Sequence, residues 1–143
     1  MTADLSRFVE AQARVWPDPL REIEAGRKDS HWMWFVFPQL KGLGRSQTAL
    51  FYGIEDLNEA RAYLADPVLG PRLIEISRAA LRHADVPAEA IFGSIDAMKL
   101  RSCATLFDRA GDDAVFADLL TAFYDGKPCE ATLRILKGGD MGC

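Results

Sequence analysis

The sequence predicts a mainly α-helical fold, a compact single-domain bundle of about seven short helices, on three observations. Apolar residues recur mostly at three- and four-residue spacing, the period that aligns side chains on one face of a helix. Residues with capping chemistry stand ahead of several such stretches, and glycine or proline closes most of them. A chain of 143 residues, 49% hydrophobic and 27% charged, has the length and composition of one globular domain.

Leu5, Phe8, Val9 and Gln12 trace a first helix that ends before Pro17. Leu20 and Ile23 mark a second, with Gly26 placed as a C-cap. Asp56 and Glu59 have capping-box spacing, which predicts a helix from about Leu57 to Ala65. Asp66-Pro67 reads as an N-cap followed by proline at the first helical position. Leu69, Leu73, Ile76 and Ala80 then stripe a long helix ending near His83, whose first turn Gly70 and Pro71 weaken. Pro87 to Phe92 is a short turn of helix stopped by Gly93. Ser94 is placed to cap the next helix, with Ile95, Met98, Leu106 and Phe107 toward the core. Asp112 or Asp113 opens another, Val115, Phe116, Leu119, Leu120 and Phe123 face inward, and Gly126 ends it. A last short helix covers Thr132 to Leu136. No repeat or linker interrupts this pattern, so one domain over residues 1–137 and a flexible tail over 138–143 are expected.

Composition removes several functions. A net charge of −4 argues against a protein that neutralises nucleic-acid phosphates over a wide surface. The longest apolar run, Trp32 to Phe37, is far below the roughly 20 residues that span a bilayer. Cys103, Cys129 and Cys143 form no C-x-x-C pair. That usage suits a reducing cytoplasm and disfavours a disulfide framework or structural zinc. Neither metal-binding spacing nor a cofactor fingerprint occurs, so none is assigned.

The stretch Ser30-His31-Trp32-Met33-Trp34-Phe35-Val36-Phe37-Pro38 concentrates two of the three tryptophans. It reads as a helix, with a strand paired to Ala49–Ile54 as the alternative. Four such rings exceed what one neighbouring helix can bury, so the segment is surrounded or lines a pocket. Rings beside a histidine suit stacking on a planar ligand. Downstream, Lys41-Gly42-Leu43-Gly44-Arg45-Ser46 precedes the helical Gln47–Tyr52. Such a turn can offer backbone N–H groups to an anion, or be a plain turn capped by Ser46. From Arg27 to Arg45 four basic residues face one acid, a local charge of +3 within an acidic chain. Further on, Lys99, Arg101 and Ser102 are polar residues within a core-forming helix, while Cys103 reads as an inert small hydrophobe. His83, near a helix end, reads as structural.

The runs Arg7–Gln12, Gly26–Leu40, Gly42–Ser46, Phe51–Ile54, Glu59–Leu64, Pro67–Leu73 and Lys99–Phe107 resemble the bacterial DUF1810 family over about Leu5 to Leu136. That resemblance implies a mainly helical single domain without an assigned activity, and supplies no catalytic residues. The helical layout is also similar to small YbiA/NADAR-type domains. This implies action on N-glycosidic bonds of nucleotide-like or ADP-ribosylated substrates.

The functional expectation is a pocket for a nucleotide-like or sugar-phosphate small molecule, formed by Arg27, Lys28, Ser30, Trp32, Trp34, Gly44, Arg45, Ser46, Tyr52 and Lys99. Arg45 and the loop amides would hold an anion, a tryptophan would stack on a ring, and His31 would act as acid/base. A glycosidic hydrolase would need a carboxylate as well, from Glu10, Glu59 or Asp96. The alternative is a protein-interaction module, homodimeric for instance, with Trp32, Trp34 and Phe37 on an exposed aromatic patch.

Overall fold

Breaks in the helical pattern of the sequence become helix boundaries in the computed structural model, which describes residues 4–141 and the side chains of residues 4–137. Ten helices are described, more than the seven expected: α1 Ser6–Val15, α2 Asp18–Glu24, α3 Met33–Val36, α4 Gln47–Tyr52 and α5 Leu57–Ala65, followed by α6 Leu69–Leu81, α7 Ala88–Phe92, α8 Ser94–Ala110, α9 Val115–Tyr124 and α10 Glu130–Met141. The count exceeds seven because the short segments α3, α4 and α7, of four, six and five residues, each stand as separate helices. The last helix starts earlier than expected and stays helical through Met141, along the glycine-rich stretch read as a tail. Residues 142–143 lie outside the described residues.

Several caps form as their chemistry dictates. Asp56 accepts from the Glu59 N–H at 2.9 Å, and the Glu59 carboxylate reaches back to the Glu55 N–H at 3.1 Å. Gly26, at φ 85°, ends α2 in the left-handed conformation that glycine tolerates. Its N–H bonds to Ile23 O, and the next N–H to Glu22 O. The His83 ring bonds Glu24 O at 2.9 Å, so it caps α2 rather than its own helix.

Two expectations near helix starts are corrected. Ser94 is the first residue of α8 and makes no side-chain cap. Gly70 and Pro71 do not delay α6, which begins at Leu69, because Asp66 accepts from the Val68 and Leu69 N–H groups. Gly70 is needed for closeness: a Cβ there would lie 2.0 Å from Leu64 O.

The core gathers around α8, which packs against α5, α7, α9 and α10, while α6 packs against α2, α5 and α9. A chain of rings (Phe8, Tyr63, Phe107, Phe116) runs through it, with successive centroids 5.2, 5.4 and 5.7 Å apart. Buried Gln12 is satisfied there, donating to Phe35 O at 2.8 Å and to the Tyr63 hydroxyl at 3.0 Å. Ile95 and Met98, expected in the core, are 70% and 72% exposed. The buried face of that part of α8 carries Ala97 and Leu100 instead. Residues 39–41 and 54 meet in a single parallel bridge, Leu40 to Ile54, and not in a strand pair over the aromatic run.

Candidate functional site

The polar atoms of Lys28, Ser30 and Trp32 converge on two carboxylates, while Arg27, Asp29 and His31 carry exposed side chains. Glu22 of α2 accepts from the Asp29 N–H (2.7 Å), the Ser30 N–H (2.9 Å), the Ser30 hydroxyl (2.5 Å) and the Trp32 indole N–H (3.0 Å). Partial burial pushes this carboxyl up. The hydrogen bonds from Ser30, Asp29 and Trp32 outweigh that and hold it below its ordinary value. Lys28, 6% exposed, pairs with Asp96 of α8 at 2.9 Å, donates to Ser30 O at 2.6 Å and lies 4.8 Å over the Trp32 ring. Arg27 meets Asp29 at 3.8 Å on the surface, and Lys41 meets Glu55 at 2.7 Å.

Three of the four cations in the basic window are therefore paired. Trp32 and Phe37 are 1% exposed and Trp34 is half-buried, so these rings form no flat exposed patch. The Ser46 hydroxyl caps α4 through the Ala49 N–H at 3.1 Å. A Cβ on Gly44 would meet the Ala49 side chain at 2.7 Å, so that glycine serves the packing of the turn.

Trp34, Tyr52 and Lys99 do come together, lining a hollow of about 10 Å³ with Gln39 and Phe37. That volume holds about one water, not a stacked ring. Lys99 sits 4.4 Å over the Trp34 ring and 3.6 Å from Asp96. Through Gln39 and Lys99 the hollow adjoins a groove of about 480 Å³ between the 39–44 loop, α8 and the start of α10. Leu43, Gly44, Ile95 and Met98 form its apolar side. Lys99, Arg101, Ser102, Cys129 and Glu130 form its polar side. Of the predicted residues, Trp34, Gly44, Tyr52 and Lys99 line one or other of these spaces; Arg27, Lys28, Ser30, His31, Trp32, Arg45 and Ser46 line neither. His31 and Arg45 are exposed. Among the described residues no carboxylate lies within ion-pair distance of His31.

Arg101 is fixed at one end by its Nε–H to Lys127 O at 2.9 Å and by the Tyr124 ring at 5.6 Å. Its terminal nitrogens make no hydrogen bond to the described residues, which leaves them for a ligand. Sequence reading passed over Arg101 and Cys129 as site residues. The visible signal was the coincidence of Lys99, Arg101 and Ser102 on a core helix. An earlier start for α10 would have put Cys129 at its N-cap, where the Leu133 N–H bonds to Cys129 O at 3.2 Å.

The two described cysteines differ. Cys103 is buried, and burial pushes its thiol well up, consistent with inert packing. Cys129 is half-exposed. Burial raises its thiol, but donors on Ser102 and Thr132 and the Thr132 and Ala131 N–H groups outweigh this and bring it below its ordinary value. Among the described residues there is no cluster of three or more metal-ligating side chains, and no helix is long and apolar enough to cross a membrane.

Fold and groove together define, among the described residues, a helical domain with an amphipathic cleft beside its central helix, alongside clefts of about 580 Å³ at α6 and about 480 Å³ between Arg109 and α10. The chain belongs to the DUF1810 family, described as proteins of unknown function, whose pattern it matches over residues 2–136. It is 48% identical to the conserved hypothetical protein Rv1873 from Mycobacterium tuberculosis, whose crystal structure is similar with a TM-score of 0.92 over 94% of this chain and 96% of that one. No curated protein matches.

Proposed function

We propose that the chain binds a small amphipathic anion in the groove beside α8, with a nucleotide-like molecule as the leading class. One observation carries this reading: two large apolar side chains, Ile95 and Met98, stand 70% and 72% exposed in the same cleft as Lys99 and Arg101. Covering one such side chain contributes about 1.5–3 kcal/mol. The terminal nitrogens of Arg101 supply a fork for a phosphate or carboxylate. A ligand ring lies against Leu43, Ile95 and Met98 rather than between Trp34 and Tyr52, whose hollow is too small. A bare sugar phosphate makes less use of the apolar side than a nucleotide does.

Glycosidic hydrolysis, which the YbiA/NADAR likeness implies, needs a carboxylate able to reach the bond. Glu59 is held by Arg7 at 2.9 Å, Asp96 sits between Lys28 and Lys99, Glu10 does not line the groove, and Glu130 is its one lining carboxylate. Binding, as in a sensor, is the reading these residues support.

Thermal-shift and calorimetric titration with adenosine monophosphate, ADP-ribose and ribose 5-phosphate tests it. The two adenine compounds should stabilise the chain more than the sugar phosphate, and Arg101→Gln should weaken them about tenfold or more. No stabilisation at millimolar ligand, or an effect unchanged in Arg101→Gln, overturns the proposal.

A further inference from the structure

We infer that Cys129 is a nucleophilic thiol in the wall of this groove, set to exchange with a small anionic disulfide seated there. The inference rests on the groove being a ligand site and adds a reaction to it.

Four features surround the sulfur. Cys129 occupies the N-cap of α10, a helix of 12 residues, where the positive end of the helix favours a thiolate. The cap is held by the Cys129 N–H, which bonds the Thr105 hydroxyl at 2.8 Å. The Ser102 hydroxyl lies 3.4 Å from Sγ and 3.2 Å from Met98 O, its single proton shared between these two acceptors. The fourth feature is Thr132, 0% exposed, whose hydroxyl contributes to the lowering at Cys129 but meets no acceptor in good hydrogen-bond geometry. Leaving a buried hydroxyl unpartnered costs folding free energy. A negative sulfur, a far better acceptor than a neutral thiol, would relieve that cost. The direction of the Cys129 shift agrees with this geometry.

Charge in the groove selects the partner. Arg101, with Lys99 partly held by Asp96 at 3.6 Å, lines the groove that bears the sulfur, against Glu130 alone among the lining carboxylates. An anionic disulfide is drawn in despite the net charge of −4 on the chain. In the exchange, the Cys129 thiolate attacks one sulfur of the disulfide. A new S–S bond forms, the old one breaks, and the other sulfur leaves with the electron pair as a thiolate that takes a proton from water. The disulfide is the only oxidant consumed. A second thiol of the same class reverses the step.

The test uses the full reduced chain, with each cysteine read separately by peptide mass mapping and rates compared with a free small thiol. Iodoacetamide, which is uncharged, reports nucleophilicity alone. Dithiodipropionate, hydroxyethyl disulfide and cystamine report charge selection as dianion, neutral molecule and dication. Cys129 is expected to alkylate faster than the free thiol at pH 7, while Cys103 reacts only after unfolding in guanidinium. The dianion should outpace the dication about tenfold, and Arg101→Gln should erase that preference. Ser102→Ala should slow alkylation about threefold or more and move its pH midpoint upward, with an unchanged melting temperature showing that the fold survives. Alkylation at the pace and pH midpoint of the free thiol overturns the assignment of Cys129. An activated Cys129 that treats the three disulfides alike overturns the anionic ligand, and with it the groove reading, while leaving the nucleophile in place.

Discussion

The Glu22 clasp and the groove beside α8 contain the same kinds of group, namely cations, rings and hydroxyls, and use them in opposite ways. Around Glu22, the polar atoms of Lys28, Ser30 and Trp32 are all directed at partners within the chain. In the groove, the terminal nitrogens of Arg101 and the side chains of Ile95 and Met98 face open space. Richness in chemistry did not distinguish the two; satisfaction did. A site must leave donors and apolar area for a ligand, whereas a structural cluster closes on itself.

The largest expected effect falls on the clasp. Trp32→Ala removes a ring that is 1% exposed and leaves a cavity, so urea unfolding should report a loss of about 3–5 kcal/mol. A loss below about 1 kcal/mol would contradict a structural role for that ring.

Next comes Glu22→Gln, expected to cost about 2 kcal/mol at pH 7 because it weakens charge-assisted hydrogen bonds. Its pH dependence has a definite sign. The folded carboxyl titrates below its ordinary 4.5, so its contribution is present above that value and fades as pH falls through the folded value. Stability curves of the wild type and variant should therefore converge over the window in which pH falls from the ordinary 4.5 through the lower folded value. A gap that stays constant across that window would remove Glu22 from its place at the centre of the clasp.

The smallest stability effects sharpen the contrast from the other side. His31→Ala and Met98→Ala both alter exposed residues and should each shift stability by no more than about 0.5 kcal/mol. Only Met98→Ala should weaken ligand binding in calorimetry. If His31→Ala weakens it instead, the site belongs nearer the aromatic run than the groove.

Much of the fold was legible because capping and periodicity act over three or four residues. Asp56, Ser46 and Gly26 do what their neighbours in sequence predict. The inward side of α8 was misread at Ile95 and Met98. This central helix is buried continuously from Ser102 to Phe107, so no stripe marks its covered face. The proposed groove was legible in part, through Lys99 and Gly44, while Trp34 and Tyr52 line only the small hollow beside it. The basic window failed as a guide because its charge was counted along the chain, where Asp96 and Glu55 are not its neighbours.

Sequence by itself determined the helical class and many helix ends, since a cap or a turn is a contact between near residues. Tertiary structure alone decided which charges cancel and which sulfur is activated. Lys28 meets Asp96, Ser102 meets Cys129, and His83 meets Glu24 only once helices distant in sequence have packed. Electrostatic and hydrogen-bond energies depend on distance in space, and a linear pattern carries that distance only over the span of a helical turn.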